Sequence, residues 1–110
     1  MGLTRTDIFT DVQVGLAAIA RVLGHPARIA ILEHLMKVQT CICGDLVKEI
    51  GLAQATISQH LRELKQIGII KGEIEGTSVC YCIDAGRWLE IKTQLDAFFE
   101  DVETDDSGCC

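Results

Sequence analysis

Leu52–Gly68, LAQATISQHLRELKQIG, decides the fold. Ile57, Leu61, Leu64 and Gly68 stand at i, i+4, i+7 and i+11, which is one apolar stripe along a helix. The other face, at its leading end, carries Gln54, Thr56, Ser58, Gln59 and Arg62. Amides, hydroxyls and a guanidinium are the groups that reach base edges and phosphates in a major groove. The same segment could also be an ordinary amphipathic helix with a solvated polar face, so its neighbours have to decide. Before it, Asp45–Ile50 reads as a short helix closed by Gly51. A helix, a tight glycine turn and a helix with a polar front make a helix-turn-helix.

Past Gly68 the apolar period shortens to two. Residues 69–74 and 79–83 read as strands joined by Glu75-Gly76-Thr77-Ser78, a hairpin that follows the second helix directly as a wing. Working toward the N-terminus, Ile8, Phe9, Val12, Leu16, Ile19, Ala20 and Leu23 mark a helix from about Asp7 to Leu23, loosened at Gly15. Gly24-His25-Pro26 ends it, and Pro26 suits the first turn of the next helix. That helix runs to about Lys37 with Ile29, Leu32, Leu35 and Met36 inward, and Val38 to Gly44 is a sulfur-rich connector. A last helix spans Ala85 to Asp101 with Trp88, Leu89, Ile91, Leu95, Phe98 and Phe99. The expected fold is mainly α with a small β-hairpin: a winged helix-turn-helix over residues 1–101, flanked by N- and C-terminal helices. Their apolar surface is wide for so small a domain, which predicts a homodimer through about residues 8–22 and 86–100. Residues 102–110, VETDDSGCC, read as an acidic flexible tail ending in Cys-Cys.

The 110 residues suffice for one domain, and no apolar run reaches membrane-spanning length. With no basic-then-apolar leader, the chain is expected in the cytoplasm, away from membranes. The net charge of −6 is unevenly placed. Residues 1–43 and residues 44–72 each have four Lys/Arg against three Asp/Glu, whereas residues 84–110 have two against eight. The helix-turn-helix is therefore slightly basic, and the acid sits at the far end, which tolerates DNA without arguing for it. No Ser/His/Asp set, phosphate-binding glycine loop or paired catalytic carboxylates suggest an enzyme.

LGHPARIAILEHL (23–35), CICGDLVKEIGLAQATISQHLRELKQIGII (41–70) and the GTSVCYCID wing (76–84) resemble the ArsR/SmtB metalloregulatory repressors, over about residues 16–100. The resemblance implies a homodimeric winged-helix repressor that an inducer releases from double-stranded operator DNA. By position it places Gln54, Thr56, Ser58, Gln59, His60 and Arg62 in the recognition helix. The arsenic-sensing pattern puts Cys-x-Cys immediately before the Asp-Leu pair, but here Gly44 separates Cys43 from Asp45. Zinc-sensing members use histidine and carboxylates on the last helix. Here that helix has Glu90, Asp96 and Glu100 but no histidine, which argues against a zinc site there.

Six cysteines occur as Cys41/Cys43, Cys80/Cys82 and Cys109/Cys110. In a reducing compartment such pairs point to thiol chemistry or soft-metal binding rather than to structural disulfides. Thiolates select soft ions such as Cu(I), Zn(II) or Cd(II), and the family resemblance adds As(III). The expected inducer is therefore As(III) or a soft divalent metal ion, with no ion required for folding. Cys41 and Cys43 are the first choice of ligands, Cys109 and Cys110 the second, Cys80 and Cys82 the third. Cys80 and Cys82 are two apart on one strand, too far for an unstrained mutual disulfide. His25 reads as a helix-start residue, His34 as a surface residue, and His60 as a recognition-helix or packing residue. Two other functions stay open: a thiol redox-responsive repressor on the same fold, and a metal-binding or interaction domain that does not bind DNA.

Overall fold

The computed structural model describes residues 8–38, 41–43, 50–74, 80–100 and 102. Helix α1 (Asp11–Leu23) starts at Thr10, whose hydroxyl accepts from Gln13 N–H at 3.0 Å while the Gln13 side chain accepts from Thr10 N–H at 2.9 Å. This reciprocal cap satisfies two donors that a helix start leaves over, so α1 begins at Asp11, later than the apolar stripe suggested. It continues unbroken through Gly15. Helix α2 (Pro26–Val38) begins at the expected proline. His25 is its cap: the ring Nδ1 accepts from Ala27 N–H at 3.0 Å.

Strand β1 (Ile42–Cys43) lies where the sequence suggested only a connector. It pairs antiparallel with β3 (Cys80–Ile83), which pairs antiparallel with β2 (Ile70–Glu73), giving a three-stranded sheet in the order β1-β3-β2. The wing therefore has a third strand, contributed from the N-terminal side of the helix-turn-helix. In the β2–β3 hairpin Gly72 has φ +116°, and a Cβ there would collide with the Cys80 carbonyl and lie 2.9 Å from Tyr81 Cα. Only glycine lets the two strands approach so closely.

Helix α3 (Gln54–Gln66) is the second helix of the helix-turn-helix, and Gly51 before it has φ +83°, the left-handed conformation that such a turn uses. The expected first helix (45–50) lies outside the described residues except for helical Ile50. Helix α4 (Ala85–Glu100) closes the domain. Asp84 caps it through Oδ1, which accepts from Arg87 N–H at 3.0 Å, and Arg87 Nε donates to the Ile67 carbonyl at the end of α3 at 2.8 Å. One residue thus ties α3 to the last helix.

The core is a single cluster: Ile19 and Val22 of α1, Ile31, Leu32 and Leu35 of α2, Ile57, Leu61 and Leu64 of α3, Ile69, Ile70, Ile74, Tyr81 and Ile91. The α3 stripe is buried as its spacing required. On α2 the inward face is rotated: Ile31 is fully buried, while Ile29 and Met36, expected inside, are exposed and border an open apolar groove with Trp88 and Leu95 of α4. Ile8, Phe9, Val12, Leu89, Phe98 and Phe99 also stay exposed. The winged helix-turn-helix is thus formed with much of its terminal apolar surface uncovered. No single helix among the described residues is long and apolar enough to cross a membrane. The tail 103–110 lies outside the described residues.

Candidate nucleic-acid interface and thiol site

Burial of Ile57, Leu61 and Leu64 turns the opposite face of α3 to solvent. Gln54, Thr56, Gln59 and Arg62 are exposed there, and Ser58 is half-buried beside them. Gln54 Nε2 donates to Ser58 Oγ at 3.2 Å, and Arg62 donates to Gln59 Oε1 at 2.7 Å. The leading polar side chains are thereby held in pairs one helical turn apart. Ala53, at the N-cap, offers no side-chain acceptor, and no acidic residue occupies the first turn of α3. The positive end of the helix dipole is thus not neutralised by the helix's own residues, a setting that favours an anion such as phosphate. Farther along, Arg62, Lys65 and Gln66 border a shallow depression shared with Glu73 and Ile74 of the hairpin.

His60 is turned the other way. It is only 7 % exposed, and its Nδ1 accepts from Arg28 Nε at 3.1 Å. Arg28 also donates to the Val22 carbonyl at 3.1 Å, and the His25 ring stacks obliquely on His60 with centroids 4.4 Å apart. Of the two roles open to His60 in the sequence, the geometry matches packing at the joint of α2 and α3. Burial holds its pKa below the ordinary 6.5, and the nearby charges of His25 and Arg28 push the same way against an opposing pull from Glu63. Because the folded pKa is depressed, the unfolded chain binds the extra proton more readily. The stability from a neutral His60 is complete above 6.5 and is lost as pH falls through that value toward the lowered folded pKa. Urea midpoints measured at about pH 7.5 and about pH 5.5 should therefore fall with acid, and His60→Gln should flatten the difference. An equal fall in His60→Gln would assign the acid sensitivity to other groups.

The cysteines meet where the sequence could not place them. In the β1–β3 register Ile42 faces Tyr81 and Cys43 faces Cys80. Cys80 is disulfide-bonded, contrary to the expectation of thiols throughout. The third strand, which the sequence did not reveal, brings the two C-x-C motifs onto neighbouring strands of one sheet. Cys41 and Cys82 remain thiols and share a hydrogen bond. That bond holds the Cys82 thiol above the ordinary cysteine range, with burial, Cys41 and Asp84 adding to the rise and Lys71 opposing it. Cys41 is exposed and Cys82 half-buried, and both border a pocket of about 360 Å³ with Leu35, Met36, Lys71, Ile83 and Ala85. Two adjacent thiols are a suitable donor pair for a soft ion. Among the described residues no three His, Cys, Asp or Glu side chains converge into a metal cage. Cys109 and Cys110 lie outside the described residues.

Neither the partnership of Arg28 with His60 nor the meeting of Cys41 and Cys82 at one pocket was disclosed by the sequence. Two equally spaced C-x-C motifs were the available signal for the second, and they become informative only once their strands are known to pair.

A buried helix stripe with an exposed polar front, a glycine turn before it and a wing after it define a winged-helix regulator. Residues 25–71 match the family model described as bacterial regulatory protein, arsR family. The chain is 38% identical over 81 residues to an HTH-type transcriptional regulator of Methanocaldococcus jannaschii, covering 73% of this chain and 90% of that protein. It is 34% identical over 90 residues to the transcriptional regulator CmtR of Mycobacterium bovis, covering 82% and 75%. It is 40% identical over 63 residues to the transcriptional repressor SmtB of Mycobacterium tuberculosis, covering 57% of this chain but only 46%, about half, of that repressor. The arsenical resistance operon repressor of Staphylococcus xylosus is 29% identical over 94 residues, 86% of each chain. The protein belongs to the ArsR family of transcriptional regulators, which are not enzymes.

Proposed function

We propose that this protein is a cytoplasmic transcriptional repressor that binds operator DNA as a homodimer and is released when a soft thiophilic ion binds its cysteines. The observation that carries this reading is the polar face of α3, which stays exposed while its apolar stripe is wholly buried. Gln54, Thr56, Ser58, Gln59 and Arg62 read the groove, and His60 holds the helix at the angle that presents them. The matches to a repressor and to an arsenical resistance operon repressor support release by a metal or metalloid. Cys41, which precedes β1, and Cys43, within it, are the proposed sensor ligands. Selecting tight-binding duplexes from a random-sequence pool and testing them in a mobility assay checks DNA recognition. Enrichment of one pseudo-palindromic sequence is expected. Recovery of random sequence, bound no better than competitor DNA, would instead favour a metal-binding domain that does not act on DNA.

The disulfide at Cys80 favours a second reading, in which oxidation of paired thiols releases DNA from the same scaffold.

The homodimer is proposed from Ile8, Phe9 and Val12 near α1 and Leu89, Phe98 and Phe99 on α4, which are 49–76 % exposed. A monomer of this size seldom leaves so much aromatic and aliphatic surface in water. Sedimentation at micromolar concentration should give twice the 12.0 kDa chain mass. A single 12.0 kDa species would contradict it.

A further inference from the structure

We propose that Cys41 and Cys82 together form a cross-strand site for a soft thiophilic ion, so that the ion is held between β1 and the wing strand β3. This deepens the proposal of a thiophilic inducer and rests on it only for the consequence on DNA. The geometry favours a pair across strands over a pair along one strand. Two sulfurs on one ion are at most about 4.6 Å apart when each bond is about 2.3 Å. Residues two apart on one strand have Cα atoms roughly 6.6 Å apart, so their side chains must lean together to share one ion. Directly opposed residues on antiparallel strands bring their Cβ atoms to about 4.5–5.5 Å. The register Ile42–Tyr81 and Cys43–Cys80, carried one residue back, sets Cys41 level with Cys82. Both cysteines line the same pocket, so the two thiols share one space.

Access and charge suit the same ion. Cys41 is exposed, so an ion can exchange its water ligands for this thiol first and then capture Cys82. Lys71 is the β2 partner of Cys82 in the sheet and lines the pocket, a cation placed to stabilise the thiolate that forms. Each thiol gives up its proton to solvent as its sulfur bonds to the ion, so binding a divalent cation releases two protons and leaves a neutral bis-thiolate. Cys80 stands two residues from Cys82, and reduction of its disulfide would return a third sulfur to the same strand.

The consequence for DNA follows from which elements the ion joins. Cys41 precedes the helix-turn-helix and Cys82 belongs to the wing. A bond between them changes the relation of those two DNA-facing parts without touching α3.

Cd(II) is the probe, with the full chain kept reduced. Two readouts need no DNA: the thiolate-to-metal charge-transfer absorbance during titration, and mass-spectrometric mapping of iodoacetamide alkylation with and without Cd(II). Cys41→Ser and Cys82→Ser should each weaken Cd(II) binding by roughly tenfold or more, while the Cys109→Ser/Cys110→Ser double variant binds as the unsubstituted chain does. In the unsubstituted protein Cd(II) should protect Cys41 and Cys82 from alkylation together. That readout stands even where Cys82→Ser fails to fold. Unchanged alkylation of Cys82 under Cd(II), or full affinity in a folded Cys82→Ser protein, would overturn the cross-strand site and leave sensing by Cys41 and Cys43 intact. Joint protection of Cys41 and Cys82 without release of DNA would uphold the site and overturn the inducer role instead.

Discussion

Replacing Cys41 with serine is expected to leave operator binding intact and abolish its response to As(III) and Cd(II). A hydroxyl is a harder and far less acidic ligand than a thiol, so the substitution removes a donor while changing the volume little. Cys41 lies outside the buried core and precedes β1 rather than sitting on α3, so neither folding nor groove contact depends on it. An inducer acts only through its difference in affinity for the DNA-bound and free conformations, and couplings of this kind typically change affinity about 5–150-fold. The unsubstituted protein should lose DNA affinity within that range on adding the ion, and Cys41→Ser should lose none. Release that persists in Cys41→Ser but disappears on deletion of the Cys109-Cys110 tail would move the sensor to the C-terminus. The assay is a fluorescence-anisotropy titration of labelled duplex, with and without the ion.

Removing the polar front of α3 should have the largest effect on DNA affinity itself. Gln59→Ala and Arg62→Ala truncate exposed side chains opposite Ile57, Leu61 and Leu64, so the fold should survive, as circular dichroism would verify. A base-edge contact is worth about 1–3 kcal/mol, and loss of a phosphate contact would also lower the salt slope by about 1. Arg62 donates to Gln59 at 2.7 Å, so removing either residue disturbs the other. The double variant should therefore lose less than the sum of the single losses. Unchanged affinity in both single variants would assign groove reading to another element.

These residues were legible from sequence because a helix advertises its buried face. Ile57, Leu61 and Leu64 share one stripe, and once it is placed inward the polar residues have only one side left. The same logic misjudged α2, where Ile31, Leu32 and Leu35 are buried while Ile29 and Met36 are not. That helix packs against α1 on one side and α3 on another, so its buried face is broader and rotated from a single stripe. Strand β1 escaped because two residues cannot show a period of two. It exists because β3 had an edge to pair with, which is a tertiary fact. For the same reason the sequence paired Cys41 with Cys43 and Cys80 with Cys82, neighbours in the chain. The sheet sets each C-x-C motif against the other and brings Cys41 to Cys82. His60 was ambiguous for a different reason. It stands beside Leu61 on the margin of the stripe, and only Arg28, from another helix, supplies the partner that makes its burial tolerable.

The most direct measurement is the affinity of the full, reduced chain for its selected duplex as As(III) or Cd(II) is added at constant ionic strength. A fall in affinity that a competing dithiol reverses, and that vanishes in Cys41→Ser, is the predicted result. An affinity that neither ion changes, in protein whose thiols are shown to be reduced, would contradict a thiol-sensing repressor.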